Sequence, residues 1–379
     1  MQHIIKTTYD LYDIQNAIDK SNPNDEIIIS KGTYYTRPLD LKSNLTITLE
    51  EGTTIIFTEL KEYYYEQRFI RFEGVECFGL HPLIYGKDLD NVTLRGKGKL
   101  IGNGQAWWKY KKLQAKACDK LCYAEANGIK IEDRITNLQT SYLRPDFLEL
   151  VSCNNVLLEG FKIINSPMWT LHPVYCNNVI IRNVNIYSDG PNTDGIDPDS
   201  CDNVLIERCL FETGDDCIAI NSGLNEDGRR VNKPCTNVTI KNCKFIKGHA
   251  ALAIGSGMSG GVRNIYFQDS VIDGVERGIR VKSLPGRGGY VEDIYFKNIS
   301  ISNVKDGIEL TMDYPSSTSV PLTKLPPKFN NFTFDNIEIS NADNGIKALG
   351  LEDSHIGNVT FNKIKLFNVK KEKDLKYID

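Results

Sequence analysis

A short phrase recurs along this chain: Asn or Asp, an apolar residue that is usually branched, any residue, then another apolar one. It stands at Asn91-Val92, Asn155-Val156, Asn178-Val179, Asn203-Val204, Asn237-Val238, Asn264-Ile265, Asp293-Ile294, Asn331-Phe332 and Asn358-Val359. From Val156 onward the steps are 23, 25, 34, 27, 29, 38 and 27 residues. Solenoid repeats run to roughly 20–50 residues, and the longer steps read as coils with loop insertions. Leucine-rich repeats would need a stricter leucine frame, and helical repeats would need long helices. Short β-branched runs punctuated by Asn and Gly, which tolerate left-handed backbone, fit a parallel β-helix. The expected fold is therefore all-β, a single-stranded parallel β-helix forming one domain over 1–379.

The cysteines agree with that frame. Cys153, Cys176, Cys201 and Cys235 each precede a repeat valine by three residues, and Cys209 and Cys243 each follow one by five. Small, readily buried thiols at fixed coil positions predict two internal ladders rather than disulfides or a zinc site. The i, i+3, i+4 spacing of Ile14, Ala17 and Ile18 predicts one helix over 13–20, placed to cap the N-terminal end. The stretch 103–140, Lys-rich and poor in strand signals, reads as an excursion, and 312–328, rich in Pro, Ser and Thr, as a loop. The charged tail 370–379 reads as a loose strand cover or a frayed end.

Lys+Arg 45 against Asp+Glu 49 gives a net charge of -4, and no basic stripe interleaves with aromatics, so no nucleic-acid partner is expected. No apolar run approaches a membrane span. The start Met1-Gln2-His3-Ile4-Ile5-Lys6 shows no signal-peptide core. A complete chain is thus expected in the cytoplasm, and one stripped of a leader outside it or in a periplasm. Capped ends are compatible with a monomer.

Four segments stand out from the repeat: Asn192-Thr193-Asp194-Gly195-Ile196-Asp197, Gly214-Asp215-Asp216-Cys217, Gly248-His249 and Arg280-Val281-Lys282. Asp194 to Asp216 spans 22 residues, Asp216 to His249 33, and His249 to Arg280 31, each about one coil. Stacked, they form a column from acids through imidazole to guanidinium and ammonium. Such a column suits hydrolysis of an anionic glycoside, which needs a proton donor, a base for water and a grip on carboxylates. A diagonal across one strand spacing brings two carboxylates to the lower end of the roughly 6.5–9.5 Å separation of inverting enzymes. Asp197, Asp199 and Asp202 read as turn-capping residues. Trp169 either packs a corner or stacks on a sugar ring.

These motifs, in this order and on this repeat, resemble the polygalacturonase family of glycoside hydrolases (family 28, pectin-lyase-like). The resemblance implies a right-handed β-helix and metal-free, cofactor-free inverting hydrolysis of α-1,4-linked galacturonate. Carried over, Asp215 is the general acid, Asp194 and Asp216 activate water, His249 supports the acid, and Arg280 and Lys282 bind a substrate carboxylate. Ala250 replaces the glycine usual after the histidine, and Val281 the usual isoleucine. The segments Asp227-Gly228-Arg229-Arg230, Ser256-Gly257-Met258-Ser259-Gly260-Gly261-Val262-Arg263 and Gly286-Arg287-Gly288-Gly289-Tyr290 are similar to the bacterial exo-acting branch. That implies Arg230, Arg263 and Arg287 as further substrate contacts, an oligogalacturonate or related uronate as partner, and a cleft walled at one end by the excursion near Trp107-Trp108. Two rivals remain at this point: a calcium-dependent pectate-type lyase and a non-catalytic carbohydrate-binding β-helix.

Overall fold

The structure, a computed structural model, describes residues 1–6, 10–315 and 323–379; residues 316–322 of the expected loop 312–328 lie outside it. Parallel strands wind into a right-handed β-helix. The repeat residues stand in direct register: Val92, Val156, Val179, Val204, Val238, Ile265, Ile294, Phe332 and Val359 pair coil upon coil. A second inward stack runs Ile163, Ile186, Phe211, Phe245, Ile272, Ile301, Ile339 and Leu366. Each coil thus buries its apolar edge against its neighbours, and ring stacking reinforces the fit: Phe296 and Phe334 lie 4.6 Å apart and nearly parallel.

The repeat asparagines are conformational as well as polar. Asn91, Asn155, Asn178, Asn203, Asn237 and Asn264 all sit at φ between 54° and 56°, a left-handed corner that Asn tolerates better than most residues. Their amides then stack: Asn91 Nδ2 donates to Asn44 Oδ1 at 2.8 Å, Asn155 to Asn91 at 3.1 Å and Asn178 to Asn155 at 3.1 Å. All ten cysteines are free thiols, and the six laddered ones are buried, with the Cys153 N–H donating to Cys176 Sγ at 3.4 Å.

The helix Asp13–Lys20 covers the N-terminal end, burying Ile14 and Ile18 on the core. At the other end the charged tail is ordered within the strand Gly357–Lys376, which completes the last coil against Lys328–Leu349. The excursion holds the helices Gln105–Trp108, Ala115–Ala126 and Leu138–Ser141, with Trp107 fully buried against Tyr64. An antiparallel hairpin, Arg68–Phe72 with Val75–Gly79, was not foreseen from the sequence. It lies over one outward sheet face, and that face carries the site.

Candidate active site

Three strands set the floor of the site: Ile218–Ile220, Ala250–Ile254 and Arg277–Lys282, stacked so that Ile218, Leu252 and Ile279 point inward. Alternation turns Ala219, Ala253 and Arg280 outward, and the two alanines leave room above the floor. Just before these strands the chain turns, and equivalent turn positions hold the acids. The N–H of Gly195 donates to Asp216 O at 3.0 Å, and that of His249 to Asp215 O at 2.9 Å, so successive coils stack Asp194 beside Asp216 and Asp215 beside His249. Gly195 has no alternative here, because a Cβ would fall 2.3 Å from the Cys217 carbonyl oxygen.

One oxygen from each of Asp194, Asp215 and Asp216 lies within 4.8 Å of the other two. Asp215 Oδ1 meets His249 Nδ1 at 2.9 Å, while its Oδ2 accepts from Asn192 Nδ2 at 3.3 Å. Asn192 is itself held by the buried Arg144, whose Nη2 donates to Asn192 Oδ1 at 2.7 Å. Asp216 Oδ2 accepts from Lys282 Nζ at 2.8 Å. Burial pushes Asp215 upward, but the His249 hydrogen bond and the nearby positive charges outweigh it and hold the carboxyl below its usual range. His249 is raised in return, chiefly by that hydrogen bond. Asp194 is pushed well above the carboxylate range by burial and then by the charge of Asp215. The three acids thus differ in surroundings: burial and the charge of Asp215 push Asp194 up, Asp215 faces His249, and Asp216 faces the Lys282 ammonium.

The cleft around them encloses about 240 Å³, below the roughly 300–1,000 Å³ of sites for drug-sized ligands. Asn192 and Asp215 form one side, and Ser256, Gly257 and Arg287 the other. Glu73, Gly74, Lys111 and Trp169 stand at the end over the earlier coils, and Tyr314 at the opposite end. The excursion supplies Lys111 to that wall, with Trp108 turned to Ser166 O through its ring N–H. Trp169 both packs and faces the cleft: it is buried, edge-on to His172 at 4.7 Å, and lines the cavity.

The expected carboxylate-binding cations divide. Lys282 lines the cleft, buried, with its ammonium on Asp216, which holds it above the ordinary value against burial. Arg280 lies behind Tyr314, its guanidinium 5.0 Å over that ring and its Nε 2.8 Å from Glu309, in a neighbouring hollow. Arg230 pairs with Glu76 and Asp227 along a different groove. Arg263 sits in the strand Val262–Asp273, registered with Thr236 and Glu292 on the Asn-ladder sheet, away from the cleft floor. Arg287 alone of these reaches the cleft unneutralised. It is buried, donates to Asn225 Oδ1 at 3.0 Å and Ser256 Oγ at 3.3 Å, and has no carboxylate in ion-pair range among the described residues. Burial pushes its guanidinium down to about 10.

Two turn-residue readings are corrected. Asp197 and Asp199 are fully buried. Asp199 accepts from Arg71 at 2.8 Å and from the Gly223 N–H at 3.0 Å, and Asp197 stands beside His172 with neither oxygen hydrogen-bonded. Glu149, His172 and Asp197 occupy the same outward row in successive coils, a row that a bare solenoid would leave to solvent. The hairpin buries it, and Asp146 Oδ2 meets His172 Nδ1 at 2.7 Å. Asp202 begins the strand Asp202–Glu207 and accepts from Asn237 at 2.7 Å. Ala250 packs with Ala219 and Ala253 and leaves His249 on Asp215.

Comparison with known proteins places these features in a family. Residues 123–378 match the family described as glycosyl hydrolases family 28. The structure is similar to a hyperthermoactive exopolygalacturonase from Thermotoga maritima, with a TM-score of 0.89 and 35% identity, over 96% of this chain and 84% of that one. Among sequences, a "Probable polygalacturonase" from Vitis vinifera is 32% identical over 212 residues, covering 55% of this chain and 38% of its own length. An exopolygalacturonase from Zea mays is 28% identical over 206 residues, 53% of this chain and 41% of its own. The chain therefore spans less than half the length of these two relatives.

Proposed function

The chain belongs to glycosyl hydrolase family 28, and from that premise we propose that it hydrolyses α-1,4-linked galacturonate, releasing units from a chain end with inversion. One observation carries the reading: a single small cleft pairs Asp215 with imidazole and Asp216 with ammonium, beside a third carboxyl, Asp194, that burial pushes well above the carboxylate range. That gives acid–base hydrolysis an acid–imidazole pair able to deliver a proton and a further carboxyl beside it for water. The same pairing disfavours a calcium cage, because Lys282 already neutralises one acid and His249 a second.

In the proposed reaction the proton held by the Asp215–His249 pair passes through Asp215 to the glycosidic oxygen as the bond to the anomeric carbon breaks. His249, a proton source 2.9 Å away, replenishes Asp215. Water attacks the anomeric carbon from the opposite face and loses its proton to Asp216, while Asp194 orients it. Arg287 receives the carboxylate of the sugar in the cleft, since a buried guanidinium without a counter-ion is stabilised by an incoming anion. Likeness to exopolygalacturonases, and the Glu73 and Lys111 that the hairpin and the excursion bring into the cleft lining, support terminal attack.

Digestion of short oligogalacturonates in the presence of a chelator tests this. New reducing ends without absorbance from a 4,5-double bond are expected, and Asp215→Asn should still bind substrate while turnover falls by roughly 10²–10⁴-fold. A chelator-sensitive rise in unsaturated product would mean a lyase instead, and undiminished turnover by Asp215→Asn would remove the acid from its role.

A further inference from the structure

The end of the cleft is made by a tight turn rather than by the excursion alone. Glu73 and Gly74 join the hairpin strands with φ of 46° and 87°, the positive pair of a two-residue turn. The tip is fixed. The Leu224 N–H donates to Gly74 O at 3.0 Å, and a Cβ on Gly74 would fall 2.9 Å from Leu224 N. Behind the tip, the Arg71 N–H donates to Glu149 at 2.8 Å and its guanidinium to Asp199 and Ser200 at 2.8 Å each. Beyond it, the Glu76 N–H donates to Asp227 at 2.7 Å, and Arg134 donates to the same carboxylate at 2.8 Å.

This anchored tip carries a carboxylate into the cleft, in line with Asp194, Asp215 and Asp216. The Glu73 side chain has no hydrogen bond or ion pair among the described residues; burial pushes its carboxyl above the usual range, and the Lys111 charge in the same lining opposes that rise. A uronate chain continuing past the acids would have to cross this tip. A chain that ends there offers something an interior unit lacks: a free hydroxyl, which a carboxylate accepts well.

We infer that Glu73 reads the chain end, accepting a hydrogen bond from the terminal hydroxyl of a uronate oligosaccharide, while the turn beneath it excludes a continuing chain. This rests on the hydrolytic reading above and makes Glu73 a specificity residue that takes no proton in the reaction. The hydroxyl belongs either to O4 of the non-reducing end or to O1 of the reducing end.

The test compares trigalacturonate with two relatives: one whose non-reducing unit is 4,5-unsaturated and so lacks the O4 hydroxyl, and one reduced to an alditol at the other end. The wild-type protein is expected to cut one of the modified chains roughly 10- to 100-fold less efficiently than trigalacturonate, and that chain names the end. Glu73→Ala should bring the ratio of kcat/KM values close to one, with Glu73→Gln, which keeps an acceptor without charge, between the two. Equal wild-type cleavage of all three chains overturns the inference, as does a preference that survives in Glu73→Ala. If Glu73→Ala has lost all turnover, an undiminished preference in Glu73→Gln overturns it equally. A wild-type protein that cleaves none of the three, and polygalacturonate no better, overturns the hydrolytic reading and the inference together.

Discussion

Replacing His249 with Gln separates an acid that works alone from one that works through a partner. Burial favours a protonated Asp215, and the hydrogen bond from His249 at 2.9 Å leads the forces that oppose it. A hydrogen bond to a charged group contributes about 1.5–3 kcal/mol. His249 is 47% exposed, so water screens it and the lower part of that range, about 1.5–2 kcal/mol, applies. As the proton leaves for the glycosidic oxygen the Asp215 carboxylate depends on that hydrogen bond, so without it the barrier rises and kcat at neutral pH falls roughly 10- to 30-fold. The sign with pH follows from the same pair. Because Asp215 raises His249 above its ordinary value, the proton shared by the pair persists to higher pH than a free imidazole would hold it. The alkaline limb of the wild-type profile therefore lies above about pH 6.5. Without the imidazole, the proton belongs to a carboxyl alone, and the limb moves to lower pH. The loss should then shrink in acid, as buried Asp215 keeps its own proton. Full pH profiles of kcat for the two proteins measure this. An alkaline limb that stays where it was, or a loss equal at acid and neutral pH, would refute the reasoning.

Arg287→Gln should raise KM for galacturonate oligomers by roughly 10- to 100-fold with a smaller change in kcat, and Arg287→Lys should recover part of it because the ammonium lacks the planar fork; steady-state kinetics with an unaltered KM would argue against it. Asp197→Asn should keep turnover within a few-fold, since burial holds this carboxyl well above its usual range and neither oxygen receives a donor. A loss of about a hundredfold would instead mean that an ionised Asp197 takes part. Phe267→Ala, removing a ring packed between Phe245 at 5.6 Å and Phe296 at 6.4 Å, should cost about 3–5 kcal/mol in denaturant unfolding. An unchanged midpoint would show that the core does not depend on that stack.

The coil was legible because its signal repeats. Each Asn such as Asn178 answers a local need, a left-handed corner and a side-chain ladder, and nine copies of the phrase fix the period. The acids were legible for the same reason: one coil of separation puts Asp194 beside Asp216 and Asp215 beside His249. Pairings outside the coil frame were not. Nothing in the composition of Arg280-Val281-Lys282 distinguishes an ammonium turned to Asp216, 66 residues away, from one turned to substrate. Arg230 and Arg287 lie in similar Gly-Arg contexts, yet one is neutralised by Glu76 and the other meets only Asn225 and Ser256. Asp197 carries the signature of a turn residue, and only the hairpin that covers its row makes it a buried acid. That hairpin is held by Arg71 to Asp199, a contact 128 residues long, so Glu73 could not be placed near the acids from sequence spacing. The Glu73-Gly74 pair was the one available signal, since two residues between apolar runs with glycine second suit a tight hairpin.

The stereochemistry of cleavage gives the most direct test of the whole account. Two carboxyl groups about 5–5.5 Å apart usually work by retention, and a separation of about 6.5–9.5 Å by inversion. Here one oxygen from each of three acids lies within 4.8 Å of the other two, a nearest-atom contact that by itself decides for neither. The account assigns Asp216 to water with Asp194 beside it and reserves Asp215 for the leaving oxygen, which requires inversion. NMR of the first product formed from trigalacturonate, recorded before mutarotation, distinguishes them. Galacturonic acid appearing first as the β-anomer, as a single unit, is the predicted result. The α-anomer appearing first would contradict it, because one of these acids would then be a nucleophile.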